Sequence, residues 1–92
     1  MPGTVIDNPV GQRFELATAG GTAFIAYQRS GATLLLNHAE VPVALGGRGL
    51  GTRLVRETLE LIRSRGERMV PVCPFIRQYV ERHAQYADLC LP

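Results

Sequence analysis

Val41-Pro42-Val43-Ala44-Leu45-Gly46-Gly47-Arg48-Gly49-Leu50-Gly51-Thr52-Arg53-Leu54-Val55 is the stretch that decides the fold. It opens at the end of an extended run, crosses a loop with glycine at 46, 47, 49 and 51, and closes in a helix. From Leu50 on the apolar positions recur with a period near 3.6, through Leu54, Val55, Leu59, Leu61 and Ile62. A glycine loop before a helix exposes backbone N–H groups that no helical carbonyl can satisfy. With the helix dipole behind them, those groups favour an anion. Glycine allows a phosphate to approach the backbone closely, and Arg48 offers a charge-assisted contact. The bland alternative is a glycine-rich turn with no ligand. The Rossmann fingerprint does not fit, because counting from Gly47 its third glycine would fall at Thr52.

Upstream, Gln12 to Ala17 alternates, with Phe14 and Leu16 on one side and Arg13 and Glu15 on the other, as in a strand half facing water. Ala23 to Arg29 and Ala32 to Val41 read as two further strands, separated by turns at Ala19-Gly20-Gly21 and Ser30-Gly31. The run Leu34-Leu35-Leu36 predicts burial on both faces. These spacings describe an antiparallel meander. Residues 1–11 read as a leader with turn signals. Downstream, Arg53/Glu57 and Arg56/Glu60 are spaced for helical ion pairs, and Gly66 suits a left-handed helix stop. Arg68 to Cys73 is a strand interrupted by Pro71. Pro74 suits the first position of a short helix, with Phe75, Ile76, Tyr79 and Val80 as its apolar face. The segment from His83 onward reads as irregular or a short helical turn. The order β-β-β-α-β-α makes one α/β (α+β) layer structure.

The 92 residues suffice for one domain with a modest core, taken here as 1–92 with its core at about 8–90. All ten basic residues are Arg, so a P-loop site, which needs lysine, is excluded. The net charge of +2 is too mild to argue for nucleic acid. No apolar run approaches a membrane span, and the first residues lack a secretory pattern. The cytoplasm is therefore expected. Cys73 and Cys90 form neither a disulfide framework nor a metal-ligand cluster.

The quoted stretch resembles the acetyl-CoA motif of GCN5-related N-acetyltransferases, with Gly46 where that family prefers Gln or Arg. His38-Ala39-Glu40-Val41-Pro42, Val70-Pro71-Val72-Cys73-Pro74-Phe75, Tyr79 through His83 and Tyr86-Ala87-Asp88-Leu89 resemble its small stand-alone, YjdJ-type subfamily. Asn8 and Arg13-Phe14-Glu15-Leu16 fit its beginning. Ala39, Ala84 and Gln85 depart from the Thr and Pro-Glu usual there. The resemblance implies a mixed, mostly antiparallel sheet with splayed central strands and two main helices. It implies acetyl-CoA between those strands, held by Val41, Gly46, Gly47, Arg48, Gly49, Leu50, Gly51 and Thr52 on one wall. Cys73, Pro74, Phe75 and Tyr79 form the other.

Acetyl transfer to an amine needs a deprotonated amine, a stabilised oxyanion and a proton for the departing thiolate. Glu40 and His38 are two apart on a strand and share a face; either could be the base, or each could simply be paired and solvated. Cys73 sits at a strand end before a helix start, where a thiolate is favoured. By resemblance it is the catalytic residue through an acetyl-cysteine; otherwise it is a small buried packing residue. Tyr79 is, by resemblance, the proton donor, or else an aromatic core contact. The expected function is acetyl-CoA-dependent transfer to an amine of a protein or small molecule, as a monomer or weak dimer. The alternative is a non-catalytic acyl-CoA-binding module or sensor, since a chain this short has little structure to spare for an acceptor pocket.

Overall fold

The computed structural model describes residues 4–18, 20–42 and 49–90. Five strands form one sheet in the order β1-β2-β3-β4-β5: β1 (Ile6–Asn8), β2 (Arg13–Thr18), β3 (Gly21–Ser30), β4 (Thr33–Glu40) and β5 (Arg68–Pro71). The first four pair antiparallel. Helix α1 (Leu50–Ser64) then carries the chain across, so that β5 lies parallel to β4. Helix α2 (Pro74–Arg82) and a 3-10 turn (Ala84–Leu89) follow. The mixed, mostly antiparallel sheet with two main helices is the architecture expected.

Alternation decides which face is covered. Phe14, Leu16, Ala23, Ile25, Tyr27, Leu34 and Leu36 are buried on one side of the sheet. They join Leu54, Val55, Leu59 and Ile62 of α1 and Ile76, Tyr79 and Val80 of α2 in one cluster. The helices start and stop where the sequence marks them. Gly66 has φ 68° just beyond the end of α1, and Pro74 opens α2 behind Cys73 as its N-cap.

Four expectations need correction. Residues 1–11 are not merely a leader: Ile6–Asn8 pairs with Arg13–Glu15. Val5 N–H donates to Glu57 of α1 at 2.9 Å, and Tyr27 O–H donates to Asp7 at 2.6 Å. Those partners lie 52 and 20 residues away, beyond the reach of local pattern. Leu35 is half-buried rather than sealed, because no helix among the described residues covers its face. Phe75 is 45% exposed and does not join the apolar face of α2. Arg53 pairs with Glu57 as expected, but Glu60 accepts the Tyr86 hydroxyl at 2.7 Å instead of forming an ion pair with Arg56 among the described residues.

The feature that positions the site is an irregularity in β4. Ala26 faces His38 and Tyr27 faces Leu36, so Asn37 is one residue too many. This bulge resets the alternation. Leu34 and Leu36 point into the core before it. After it, Ala39 and Val41 pack against the core, while His38 and Glu40 are exposed on the other face. The partnership with β5 stops at the same place. Leu36 pairs with Pro71, and the Cys73 N–H donates to the Leu36 carbonyl at 2.9 Å. Beyond Leu36 the chain after β5 turns away into α2. Among the described residues, the β5-facing edge of Asn37–Glu40 has no strand partner.

Candidate functional site

Three elements converge where β4 and β5 part. The first is the start of α1, where Gly49 caps the helix at φ 72°. A Cβ at Gly51 would stand 3.0 Å from Cζ of Phe75 and 3.7 Å from Cγ2 of Val41. That is tighter than side-chain carbons ordinarily sit, so glycine lets α1, α2 and the end of β4 close on one another. The second is the start of α2. Cys73 is 6% exposed, has extended backbone angles and is tied to Leu36 by its N–H. The third is the groove between the two helices. A pocket of about 100 Å³ there is lined by Thr52, Phe75, Gln78, Tyr79, Arg82 and His83.

Tyr79 forms the wall of that pocket. Its ring stacks on His83 with centroids 4.0 Å apart and planes 16° apart, and lies 5.9 Å from the Tyr86 ring. The Tyr79 carbonyl can only accept, so the His83 Nδ1 at 2.9 Å carries the proton between them. Burial pushes the Tyr79 hydroxyl up from its ordinary value, Arg56 pulls it back and Glu60 pushes it further up. The hydroxyl therefore keeps its proton at neutral pH, as a proton donor must. Among the described residues it makes no hydrogen bond that would hold the proton elsewhere. Below it, Tyr86 is pushed to about 12 by burial and by its bond to Glu60.

His38 and Glu40 sit apart from the pocket, on the uncovered face. His38 Nε2 is 3.6 Å from Glu40 Oε1, with the two side chains 59% and 60% exposed. His38 also meets the edge of the Phe24 ring at 6.2 Å. Helix-side groups and open-face groups thus flank the unpaired end of β4 from opposite sides.

The GCN5-related N-acetyl-transferase family model matches residues 13–89, from β2 to the end of the 3-10 turn. The chain belongs to the GCN5-related N-acetyltransferases. Membership places it in a family of acetyl-transferring enzymes. The fold agrees: the NMR structure of a GCN5-like protein from Staphylococcus aureus superposes with a TM-score of 0.71. The two are 22% identical over 95% of this chain and 86% of that one. None of the curated proteins matches the chain.

For this N-acetyltransferase, the residues read from the sequence divide into three groups. Val41, Gly49, Leu50, Gly51, Thr52, Cys73, Pro74, Phe75 and Tyr79 all belong to the elements that meet at the splay. His38 and Glu40 share a face, as their spacing requires, but it is the far face. Gly46, Gly47 and Arg48 lie outside the described residues. One pocket residue, Gln78, was not named in the motif reading, while Arg82 and His83 entered it only within the stretch Tyr79 through His83.

Proposed function

We propose that this chain is an acetyl-CoA-dependent N-acetyltransferase acting on an amine of a protein or small molecule, within a single domain. One observation carries the reading: β4 loses its β5 partner after Leu36 at the point where the α1 start, Phe75 and Cys73 converge. An extended, free backbone edge suits the pantetheine arm, whose amides can bond to it as a strand would. The α1 start and the glycine loop before it suit the pyrophosphate. In this reading Gly46 to Thr52 and Val41 hold the donor on one side. Cys73, Pro74, Phe75 and Tyr79 hold it on the other.

The chemistry follows from the two-sided arrangement. The Val41 N–H bonds the developing oxyanion. Cys73 Sγ, as thiolate, attacks the thioester carbonyl; the carbon–sulfur bond to coenzyme A breaks and the leaving thiolate takes the Tyr79 hydroxyl proton. The acceptor amine reaches the acetyl group from the open face, where Glu40 or His38 takes its proton. The acetyl group then passes from sulfur to nitrogen, the Cys73 thiolate is regenerated, and the proton taken by Glu40 or His38 returns through solvent to the Tyr79 phenolate.

Intact-mass spectrometry after incubation with acetyl-CoA tests this on wild type and Cys73→Ala, with calorimetric titration of coenzyme A on the same samples. The expected result is coenzyme A binding by both proteins and gain of one acetyl group by wild type alone. Binding with no adduct, but turnover on added amines, would replace the Cys73 step with direct transfer assisted by Glu40 and His38. Binding with neither adduct nor turnover would leave an acyl-CoA-binding module. Absence of binding sinks the proposal.

A further inference from the structure

The chain has three tyrosines, and they are held in two ways. Tyr27 and Tyr86 are anchored through their hydroxyls, which donate to Asp7 at 2.6 Å and to Glu60 at 2.7 Å. Tyr79 has no such anchor among the described residues, although its side chain is buried. Its hydroxyl is not sealed either. Among the described residues, the buried side-chain oxygens without a partner are Thr58 Oγ1 and Glu67 Oε1. Tyr79 is therefore held by its ring, in the wall of the pocket between α1 and α2.

His83 supplies the hold. It stands four residues after Tyr79, one turn along α2. It is also the C-cap, where φ −129° and ψ 77° take the chain out of the helix. Three hydrogen bonds fix it. Its N–H donates to the Val80 carbonyl at 3.2 Å, and its carbonyl accepts the Tyr86 N–H at 3.0 Å. Its Nδ1–H donates to the Tyr79 carbonyl at 2.9 Å. That last bond joins the imidazole to the backbone of the residue whose ring it covers. The two planes lie 16° from parallel, with centroids 4.0 Å apart. A tyrosine ring swings about its first two side-chain bonds. Pressed against a neighbour that is itself fixed, it gives up that freedom before any ligand arrives.

We propose that His83 is a positioning residue: its imidazole, stacked on Tyr79 and tied to the Tyr79 carbonyl, sets the direction in which the Tyr79 hydroxyl delivers its proton. The assignment rests on the reading in which that hydroxyl protonates the departing coenzyme A thiolate. In that step the Tyr79 O–H bond breaks and an S–H bond of coenzyme A forms, so the oxygen must point at sulfur. The anchoring of Tyr27 and Tyr86 is of no use there, because a hydroxyl bonded to a carboxylate already has its proton engaged. A clamp on the ring leaves the oxygen free and still sets its aim. His83 thus acts through Tyr79 and not on the reacting atoms. The bland alternative is that His83 only closes the end of α2 by meeting a carbonyl that has no helical partner. On that alternative any side-chain donor at position 83 would serve.

Single-turnover acetylation of Cys73, followed by intact mass at saturating acetyl-CoA, reads this proton transfer without an acceptor. The proteins compared are wild type, Tyr79→Phe, His83→Ala and the double variant of those two. His83→Phe keeps a ring face without the donor, and His83→Gln keeps a donor without the ring. His83→Ala is expected to slow acetylation by about tenfold or more. The same change should matter by less than about twofold once Tyr79 is already Phe, because the two residues act as one unit. His83→Phe should stay within about threefold of wild type, and His83→Gln should be as slow as His83→Ala. Equal slowing by His83→Ala with and without the Tyr79 hydroxyl overturns the proposal, as does a wild-type rate in Tyr79→Phe. A wild-type rate in His83→Gln overturns it in favour of a helix cap. Should His83→Ala lose its fold by circular dichroism, the contrast between His83→Phe and His83→Gln decides alone. A wild type that gains no acetyl group overturns the Cys73 reading, and the positioning role with it; that result stands apart because it precedes any variant.

Discussion

The two ends of α1 are built on opposite plans. At its C-terminal end, charge is matched residue by residue. Arg63 forks onto Asp88 at 2.9 and 3.0 Å and reaches the Gln85 carbonyl at 2.6 Å. Arg65 holds Asp7 at 2.8 Å, and Arg29 holds Glu67 at 2.6 Å. At its N-terminal end Phe75 is exposed, the edge of β4 lacks a strand partner among the described residues, and Arg82 lines a groove with Thr52 and Tyr79. The same division runs along β4. Thr33–Leu36 is bonded to β3 and β5, and Asn37–Glu40 to β3 alone. One end satisfies its own polar groups and so contributes stability. The other leaves a strand edge and the Phe75 ring open among the described residues, and so contributes less to stability.

The contrast can be broken by substitution, and the largest effect is expected in the core of the closed end. Ile62 is fully buried, so Ile62→Ala should cost about 2–5 kcal/mol in denaturant unfolding. Phe75→Ala at the open end should cost less than about 1 kcal/mol, because the ring is 45% exposed. It should instead weaken coenzyme A binding. If Phe75→Ala proved the more destabilising of the two, the division into a structural and a binding end would be wrong.

Tyr86→Phe is expected to be intermediate. It removes the bond to Glu60 that straps the 3-10 turn to α1, at a cost of about 1 kcal/mol near neutral pH. It should also change the alkaline limb. The native hydroxyl is pushed to about 12 from an ordinary value of 10.0, so the native state holds a proton that the unfolded chain releases first. Stability is therefore intact below pH 10 and lost as pH climbs from there to about 12. A pH series of unfolding midpoints should show a shallower loss in Tyr86→Phe; an identical slope would remove Tyr86 as its source.

Asp88→Asn should have the smallest effect, confined to acid. Arg63 holds the Asp88 carboxyl below its ordinary value, so its contribution is present above that value and fades as pH falls through the lowered one. Both partners are exposed, and solvent screens the pair. The variant should match wild type at neutral pH and show a gentler acid limb in the same series.

The sequence by itself determined what depends on neighbours along the chain. The 3.6-residue period from Leu50, the Gly66 stop, the Pro74 start and the alternation in Phe14 and Leu16 each arise from local geometry, and each stands where it was read. The likeness of Val41–Val55 to the acetyl-CoA motif belongs here too, since a glycine loop before a helix is a local object. Only the tertiary structure decided the rest. Which partner β4 loses after Leu36, where Asn37 interrupts the pairing, why Ile6–Asn8 is a strand and why Glu60 takes Tyr86 rather than Arg56 are settled by residues distant in sequence.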